Sequence, residues 1–295
     1  MTQRLTLESL IRASARRLDD AGVWCGHGTD NVLDEAAWLA LHALGLPPDQ
    51  APDYAQVPTE AEAAAVHALV TARITRRVPA AYLTGTAWFA GHAFRSDARA
   101  LVPRSPIAEL IENRFRPWVV PEGVHRVLDL CTGGGCIAIA TAHALPEAAV
   151  HGTDLSADAL ALAAENVALH GLDARVHLFE GDLFAPLAGE RYDLIVSNPP
   201  YVDAREIAEM PAEYHAEPAL GLASGSDGLD LTRRILREAC AHLSDTGVLI
   251  VEVGASRPAA KEAFAGLPLQ WVAFEHGGDG VFAVTAAALR AASGG

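Results

Sequence analysis

The chain has 295 residues, of which 51% are hydrophobic and 20% are charged, and its formal net charge at pH 7 is −15. This composition is too apolar for a disordered chain and allows one large or two ordinary domains. A surface this acidic repels the phosphate backbone of nucleic acids and anionic lipid headgroups, so the charge favours a basic partner.

The cysteine content and the absence of long apolar runs indicate a cytoplasmic protein. The four cysteines form no CxxC pair, and their sparse, apolar settings are typical of a reducing compartment. We interpret two of them, Cys131 and Cys136, as packing residues. The N-terminal segment is amphipathic, and no stretch reaches about 18 uncharged apolar residues, so neither a secretory signal nor a membrane span is expected.

Residues 1–85 are predicted to form a small helical domain. A first helix carries an apolar stripe, a second helix is expected after Asn31, and a third follows a proline-rich loop. Thr59–Glu62 has the form of a capping box at the start of that third helix. Arg73 and Arg76 lie where cations favour the negative end of the helix, and Pro79 ends it.

Residues 86–104 are predicted to be a linking β-hairpin, because aromatic and β-branched side chains flank Gly91. Residues 105–295 then alternate short apolar strands with helices. This alternation predicts an α/β domain with a parallel sheet covered on both faces. Strands are expected at 127–130, 150–153, 176–179, 194–196 and 248–251.

A glycine-rich turn is expected where the first of these strands meets its helix. Its candidate ligand-binding residues are Asp129, Cys131, Thr132, Gly133, Gly134 and Gly135. Glycines let the backbone approach a ligand, and a helix N-terminus favours a carboxylate or a phosphate. Asp154 ends the next strand, where its side chain can accept hydrogen bonds from ribose hydroxyls. The turn also fits the G-x-G-x-x-G/A form, so a nicotinamide enzyme and a purely structural turn both stay open at this point.

Asp182 and Leu183 follow the third strand, at the edge where open sheets bind ligands. Asp182 is therefore a candidate contact for an adenine amine, and Leu183 is a candidate for packing on the adenine ring. The alternative interpretation is that Asp182 is the N-cap of a helix.

The sequence Asn198-Pro199-Pro200-Tyr201 follows the fourth strand and indicates the chemistry. Two adjacent prolines lack N–H groups, so the turn presents carbonyl oxygens without competing donors. Asn198 adds an amide oxygen and Tyr201 a flat ring, which together suit a planar –NH2 group. Acceptors aimed at its N–H bonds stabilise the positive charge that develops on nitrogen during attack. We find no nucleophile–base pair nearby and no metal-ligand spacing among the twelve histidines, so no metal is expected.

Taken together, these motifs resemble the class I S-adenosylmethionine-dependent methyltransferases that carry an NPPY motif. The resemblance implies a Rossmann-like sheet of seven strands with a reversed last strand, and S-adenosyl-L-methionine as the methyl donor. It implies cofactor contacts at Asp129, Cys131, Thr132, Gly133, Gly134, Gly135, Asp154, Asp182, Leu183 and Asn198. It places the substrate amide at Asn198, Pro199, Pro200 and Tyr201, with Asn198, Pro199 and Tyr201 as catalytic residues.

The rest of the chain is similar to the protein-glutamine methyltransferases within this group. They act on peptide-chain release factors or on the third protein of the large ribosomal subunit. The strings at 24–31 and 277–282 resemble the ribosomal-protein type, and the string at 101–107 stands where the release-factor type has a different sequence. The resemblance therefore implies N(5)-methylation of a glutamine in a basic ribosomal protein, free or in an assembling ribosome, without direct nucleic-acid specificity.

Other hypotheses stay open. The first is the same chemistry on release factors. The second is methylation of adenine amines, which requires that the base be extruded. The third is a non-catalytic cofactor-binding or ribosome-assembly factor. His27 and Asp30 are expected to cap a turn or to contact the substrate. Arg104 is expected to line the mouth of the site or to form an inter-domain salt bridge. Glu217-Pro218 and Ser224–Gly228 are expected to be a lid, a substrate rim or plain connections.

Overall fold

The computed structural model describes residues 6–47, 50–202, 209–222 and 224–293. In chain order, the elements of these residues are α1 (Leu7–Asp20), α2 (Val32–Ala43), α3 (Glu60–Arg76), α4 (Ala80–Thr84), β1 (Thr86–Phe89), β2 (His92–Arg95), α5 (Ile107–Glu112), β3 (Arg126–Leu130), α6 (Cys136–Ala144), β4 (Ala149–Asp154), α7 (Ala157–Leu169), β5 (Val176–Glu180), β6 (Tyr192–Ser197), α8 (Asp230–His242), β7 (Leu243–Glu252), α9 (Arg257–Ala263), β8 (Gln270–Trp271), β9 (Val281–Thr285) and α10 (Ala286–Ser293).

Helices α1, α2 and α3 pack together around a hydrophobic core of their own, built on side chains such as Leu10, Leu39 and Val70. The predicted capping box at the start of α3 is confirmed. The Glu62 N–H donates to Thr59 Oγ1 at 3.2 Å, and the Thr59 N–H donates to Glu62 Oε2 at 2.7 Å. These reciprocal bonds satisfy two backbone donors where α3 begins.

The predicted hairpin is present as β1 and β2, which pair in antiparallel register. Its turn consists of Ala90 and Gly91, both with positive φ (46° and 76°), as a tight two-residue hairpin turn requires. Phe89 and Phe94 point into the hydrophobic core on one face of the main sheet, which attaches the hairpin to that sheet.

The main sheet has seven strands in the order β5-β4-β3-β6-β7-β9-β8. Strands β3 to β7 are parallel, and β9 is antiparallel to both of its neighbours, so the expected reversed last strand is confirmed. Alternate residues of β6 enter different cores: Leu194 and Val196 face the side of α5 and α6, whereas Ile195 faces the side of α8. Both faces of the sheet are therefore buried.

The strand order determines at which edge of the sheet a ligand can bind. The chain runs outward from β3 through β4 to β5, and then returns to the other side of β3 as β6. At such a switch point the loops after the central strands diverge and leave a crevice at their carboxyl ends. None of the helices in the described part of the chain is long and apolar enough to cross a membrane.

Candidate active site at the carboxyl ends of the strands

A cavity of about 380 Å³ opens at the carboxyl ends of β3, β4, β5 and β6. Its size is that of a small-molecule site. The loop after each of these strands lines it, with residues 131–134, 153–156, 181–183 and 198–202. The fold therefore brings all four motifs that the sequence singled out to one cavity. Asp129 and Gly135 lie behind its glycine-rich wall and do not line it.

Asp129 holds the glycine-rich turn from beneath. Its buried Oδ2 accepts hydrogen bonds from Thr132 Oγ1 at 2.6 Å and from the Ala138 N–H at 3.0 Å. Burial raises the pKa of this carboxyl to about 7. Because the two donors belong to the turn and to the first turn of α6, Asp129 joins the start of the helix to the cavity wall.

The backbone of the turn takes conformations that bring it close to the cavity. Cys131 has φ +58° and Gly133 has φ +54°, and both belong to the left-handed region. A Cβ on Gly135 would lie 3.1 Å from the Ala163 Cβ, so this glycine permits close packing of α6 on α7. Burial raises the pKa of the Cys131 thiol, which keeps it protonated and unreactive although it lines the cavity.

Asp154 lies across the turn from these residues. Its Oδ2 accepts a hydrogen bond from the Gly133 N–H at 2.8 Å, and its Oδ1 accepts one from the Ser156 N–H at 2.9 Å. Burial raises the pKa of this carboxyl, and the two backbone donors oppose that shift. Each oxygen keeps acceptor capacity for a hydroxyl in the cavity.

Asp182 and Leu183 form the wall after β5. Leu183 is buried, has φ +50° and lines the cavity. The half-exposed Asp182 carboxylate accepts a hydrogen bond from Arg234 Nη2 at 2.9 Å. The following 3-10 turn has Phe184 as its N-cap and no side-chain cap, so Asp182 is not a helix N-cap.

The Asn198–Tyr201 turn begins where Ser197 Oγ donates to the Leu130 carbonyl at 2.9 Å, which ties β6 to β3. Asn198, Pro199 and Pro200 line the cavity. Within the part of the chain that the structure describes, no hydrogen bond engages the Asn198 amide. Within those residues the Asn198 amide oxygen is therefore available to a ligand in the cavity.

Glu252 holds Tyr201 in place, a role that the sequence analysis missed. This buried carboxyl, at the end of β7, accepts hydrogen bonds from Tyr201 Oη at 3.1 Å and from Ser105 Oγ. Burial raises its pKa to about 7. Burial also raises the pKa of Tyr201, so its hydroxyl stays a neutral donor. In the sequence, the only sign of this role of Glu252 is that a glutamate directly follows the apolar run 248–251.

The Tyr201 ring lies directly on a glycine backbone. A Cβ on Gly254 would lie 2.5 Å from the ring carbon Cε2. The Tyr201 carbonyl accepts a hydrogen bond from Ser256 Oγ at 3.0 Å, which fixes the backbone of the same residue. Gly254 thus determines where the ring can lie.

Gly254→Ala is expected to displace the Tyr201 ring and to lower kcat/KM for the methyl acceptor by about 10²-fold, the usual cost of a displacement near 1 Å at a reacting centre. Donor affinity is expected to change little, because Gly254 does not line the cavity. Gly45→Ala is the matched control, since Gly45 also has a positive φ (+64°, against +45° for Gly254) and a Cβ there meets nothing within 4 Å. Steady-state kinetics on both variants test this, and equal kcat/KM values would show that Gly254 does not position the ring.

Glu217 fastens the segment that follows the turn, which we call the post-turn loop (residues 209–222). Its carboxylate accepts hydrogen bonds from Arg104 Nη1 and Nη2 at 2.7 and 2.6 Å, and from the Val102 N–H at 2.9 Å. His27 Nε2 lies 3.3 Å from Oε2. Burial alone raises the pKa of Glu217, but the nearby His27 ring and the bonds from Arg104 outweigh it and lower the pKa to about 2. Arg104 therefore both lines the cavity and forms a salt bridge.

A second buried carboxylate of the post-turn loop, Glu213, binds the helical region. Its Oε1 accepts from Arg73 Nη1 at 3.1 Å, from Arg77 Nη1 at 3.2 Å and from the Trp24 N–H at 3.2 Å. Arg73 is completely buried, and its Nε donates to Glu35 Oε1 at 2.5 Å. The helical region thus holds the loop beside the cavity.

The structure confirms that Arg73 lies in the last turn of α3, and it adds that this side chain is buried between two carboxylates. Arg73 shares the helix face of Val66 and Val70, a signal that was available in the sequence. One of the two interpretations of His27 is corrected. His27 is 1% exposed and its ring packs 4.5 Å from that of Tyr214, so it holds the post-turn loop and is not on the surface for a substrate.

The family model of the methyltransferase small domain matches residues 119–215. A ribosomal protein uL3 glutamine methyltransferase of Xanthomonas campestris pv. campestris is 54% identical over 289 residues, which cover 98% of this chain and 94% of the relative. One of Burkholderia pseudomallei is 47% identical over 300 residues, covering 98% and 97%.

Among solved structures, the hMettl16 catalytic domain in complex with the MAT2A 3′UTR hairpin 6 has a TM-score of 0.52 and 17% identity, and the match covers 84% of this chain and 91% of that one. This likeness shows the fold, a Rossmann-like methyltransferase sheet. The similarity to the two relatives extends over almost the whole length of both sequences, and on that basis the chain belongs to the family of ribosomal protein uL3 glutamine methyltransferases.

Proposed function

We propose that this protein transfers a methyl group from S-adenosyl-L-methionine to the side-chain amide nitrogen of a glutamine in ribosomal protein uL3. One observation carries the proposal. The Asn198–Tyr201 turn, with its Asn198 amide and its Pro199 carbonyl, lines the same cavity as the glycine-rich wall and Asp154. The relatives named for this activity support the choice of substrate over release factors and over nucleic acid.

The cavity residues fit the proposed donor. Gly133 and Gly134 leave the wall without side chains, Asp154 keeps acceptor capacity for ribose hydroxyls, and Leu183 offers an apolar surface for a flat base. When bound, the donor supplies a sulfonium-linked methyl group that is open to attack by a nucleophile. Asp129 and Gly135 support this wall from behind, so we assign them a positioning role.

The residues of the Asn198–Tyr201 turn can compensate for the weak nucleophilicity of an amide nitrogen. An amide nitrogen is a poor nucleophile because its lone pair is delocalised, as the rotation barrier of about 18–20 kcal/mol shows. In our proposal, Asn198 Oδ1 and the Pro199 carbonyl accept hydrogen bonds from the two N–H groups of the substrate glutamine. Tyr201 stacks on the plane of the same carboxamide. These acceptors stabilise the positive charge that forms on nitrogen, and the departing proton passes to water. Pro200 keeps the turn free of a competing donor.

The charge of the chain supports a basic protein substrate. A protein that binds ribosomal RNA must carry positive charge, and the net charge here is −15. We also propose the division into a helical region at 1–85, a linker at 86–104 and a catalytic region at 105–295, because α1–α3 enclose a core of their own. A cytoplasmic location stays a prediction.

The proposal is tested by incubating the protein with methyl-labelled donor and, in parallel, purified uL3, a peptide-chain release factor and ribosomal RNA. We expect label in uL3 alone, on the side chain of one glutamine after digestion and fragment mass analysis. Label found only in the release factor, or label in RNA that survives protease treatment, would overturn it.

The raised pKa of Glu252 predicts a pH dependence of stability. The folded chain keeps this proton up to about pH 7, whereas the unfolded chain releases it near pH 4.5. The stability that the protonated form contributes is therefore present below pH 4.5 and lost as the pH rises towards 7. Glu252→Gln, a neutral replacement, is expected to flatten this part of the profile of unfolding free energy against pH, measured in urea.

Glu112→Gln is the control for this measurement, because Glu112 is exposed on α5. It is expected to reproduce the wild-type profile. A Glu252→Gln profile as steep as that of the wild type between pH 4.5 and 7 would contradict the assignment. Asp129 has a raised pKa of the same sign, so a smaller slope is expected to remain in the variant.

A further inference from the structure

Three imidazole rings meet on the surface where the hairpin packs against the catalytic region. His92 begins β2, His143 lies in the last turn of α6, and His170 is the C-cap residue of α7. One ring nitrogen from each lies within 4.8 Å of the others. None of the three lines the cavity described above. Their separation along the chain forms no ligand motif, so only the folded chain brings them together.

The orientation of His170 is fixed by the backbone. Its Nε2 lies 2.9 Å from the Ala93 carbonyl, which can only accept, so Nε2 carries the proton. The lone pair of Nδ1 is then directed towards His143, whose Nε2 lies 3.1 Å away. Metal-binding histidines characteristically donate their other N–H to a carbonyl in this way. Two nitrogens at about 2.0–2.1 Å from one tetrahedral metal ion lie roughly 3.3 Å apart, close to the separation seen here.

The helix ends at this group favour a bound cation, whereas the positive charge of the nearby Arg175 opposes one. His143 and His170 both lie at helix C-termini, where the helix dipole is negative. The nearby Arg175 uses its Nη1 to bind the Ala142 carbonyl at 2.8 Å.

One ring has to move for the three nitrogens to converge. His92 and His143 are stacked with centroids 4.4 Å apart and an angle of 18° between their planes. Two parallel rings cannot both direct a lone pair at one ion, so His143 must turn out of the stack. His143 is the exposed member of the group, and its turn therefore costs little packing. Its Nε2 proton moves to Nδ1 in the neutral ring.

We propose that His92, His143 and His170 form a binding site for Zn²⁺, with water as the fourth ligand. Imidazole suits Zn²⁺ and its transition-metal neighbours, whereas Mg²⁺ and Ca²⁺ prefer oxygen ligands, which this group lacks. The ion would join the hairpin to α6 and α7. One turn before His170, the Asn166 side chain donates to the Gly134 carbonyl at 2.9 Å, so the same helix also supports the cavity wall.

The test is calorimetric titration of Zn²⁺ into the full chain after chelator dialysis, together with thermal unfolding. We expect one equivalent to bind to the wild type and to raise its Tm. His92→Ala and His143→Ala are each expected to weaken binding at least tenfold and to abolish the rise in Tm. His125→Ala, an exposed histidine elsewhere on the surface, is expected to behave as the wild type.

Two further readouts make the test decisive. Circular dichroism without metal is expected to give the same spectrum and Tm for His143→Ala as for the wild type, because that ring is exposed. Replacement of Zn²⁺ by Co²⁺ is expected to give the visible absorption of a tetrahedral site in the wild type and not in His143→Ala. Failure of the wild type to bind one equivalent would overturn the proposal, and so would wild-type affinity in either His92→Ala or His143→Ala.

Discussion

Asn198→Ala is expected to lower kcat for methylation of uL3 by about 10²–10³-fold, the usual cost of removing one donor or acceptor that stabilises charge in a transition state. The amide of Asn198 is not engaged within the described residues and faces the cavity, so its removal leaves the fold unchanged. Loss of this acceptor leaves one N–H of the substrate amide without a partner. The nitrogen then develops positive charge with less stabilisation.

The measurement is single-turnover methyl transfer to uL3, with donor affinity measured separately by calorimetry. Donor affinity is expected to change far less than kcat, because the glycine-rich wall and Asp154 are intact. Asn113→Ala provides a matched control, since Asn113 is exposed at the end of α5. If Asn198→Ala turned over as fast as Asn113→Ala, the Asn198 amide would have no part in the methyl transfer.

Arg73→Ala is expected to lower the free energy of unfolding by about 3–5 kcal/mol, because it leaves the buried Glu35 carboxylate without its cation. It also removes one of the two guanidinium groups that bind Glu213, and Arg77 is the other. Glu35 and Glu213 are each 1% exposed, and both accept hydrogen bonds from Arg73. Arg73→Lys is expected to recover only part of this loss, since an ammonium group cannot reproduce the guanidinium fork.

Urea unfolding followed by circular dichroism measures this effect. The control is Arg76→Ala on the exposed face of the same helix, which is expected to change the unfolding free energy by no more than about 0.5 kcal/mol. The Arg73 variant is also expected to raise KM for uL3 more than for the donor, because it releases the post-turn loop. Similar stability of the Arg73 and Arg76 variants would contradict the role of this ion pair.

The local motifs could be predicted from the sequence because each is written within a few residues. The glycine-rich turn and the Asn198–Tyr201 turn each follow a short apolar strand, and the acidic residue Asp154 ends another. A parallel sheet brings the carboxyl ends of its strands to one edge, so their convergence on one cavity follows from the alternation of strands and helices. The capping box at Thr59 was recognisable for the same reason.

The partners of these motifs could not be predicted, because they come from distant parts of the chain. Tyr201 depends on Glu252 and on the backbone of Gly254, both of which lie about fifty residues further along. Glu213 meets Arg73 only because the helical region folds against the post-turn loop. Buried charges of this kind look like ordinary surface residues in a sequence. Only burial, which depends on tertiary packing, distinguishes them.

The most direct test of the account is a crystal structure of the protein with S-adenosylhomocysteine and a uL3 peptide that contains the modified glutamine. We predict that the glutamine amide nitrogen lies within hydrogen-bond distance of both Asn198 Oδ1 and the Pro199 carbonyl oxygen, with Tyr201 against the carboxamide plane. A complex in which the glutamine is bound elsewhere and the Asn198–Tyr201 turn contacts no substrate would contradict it.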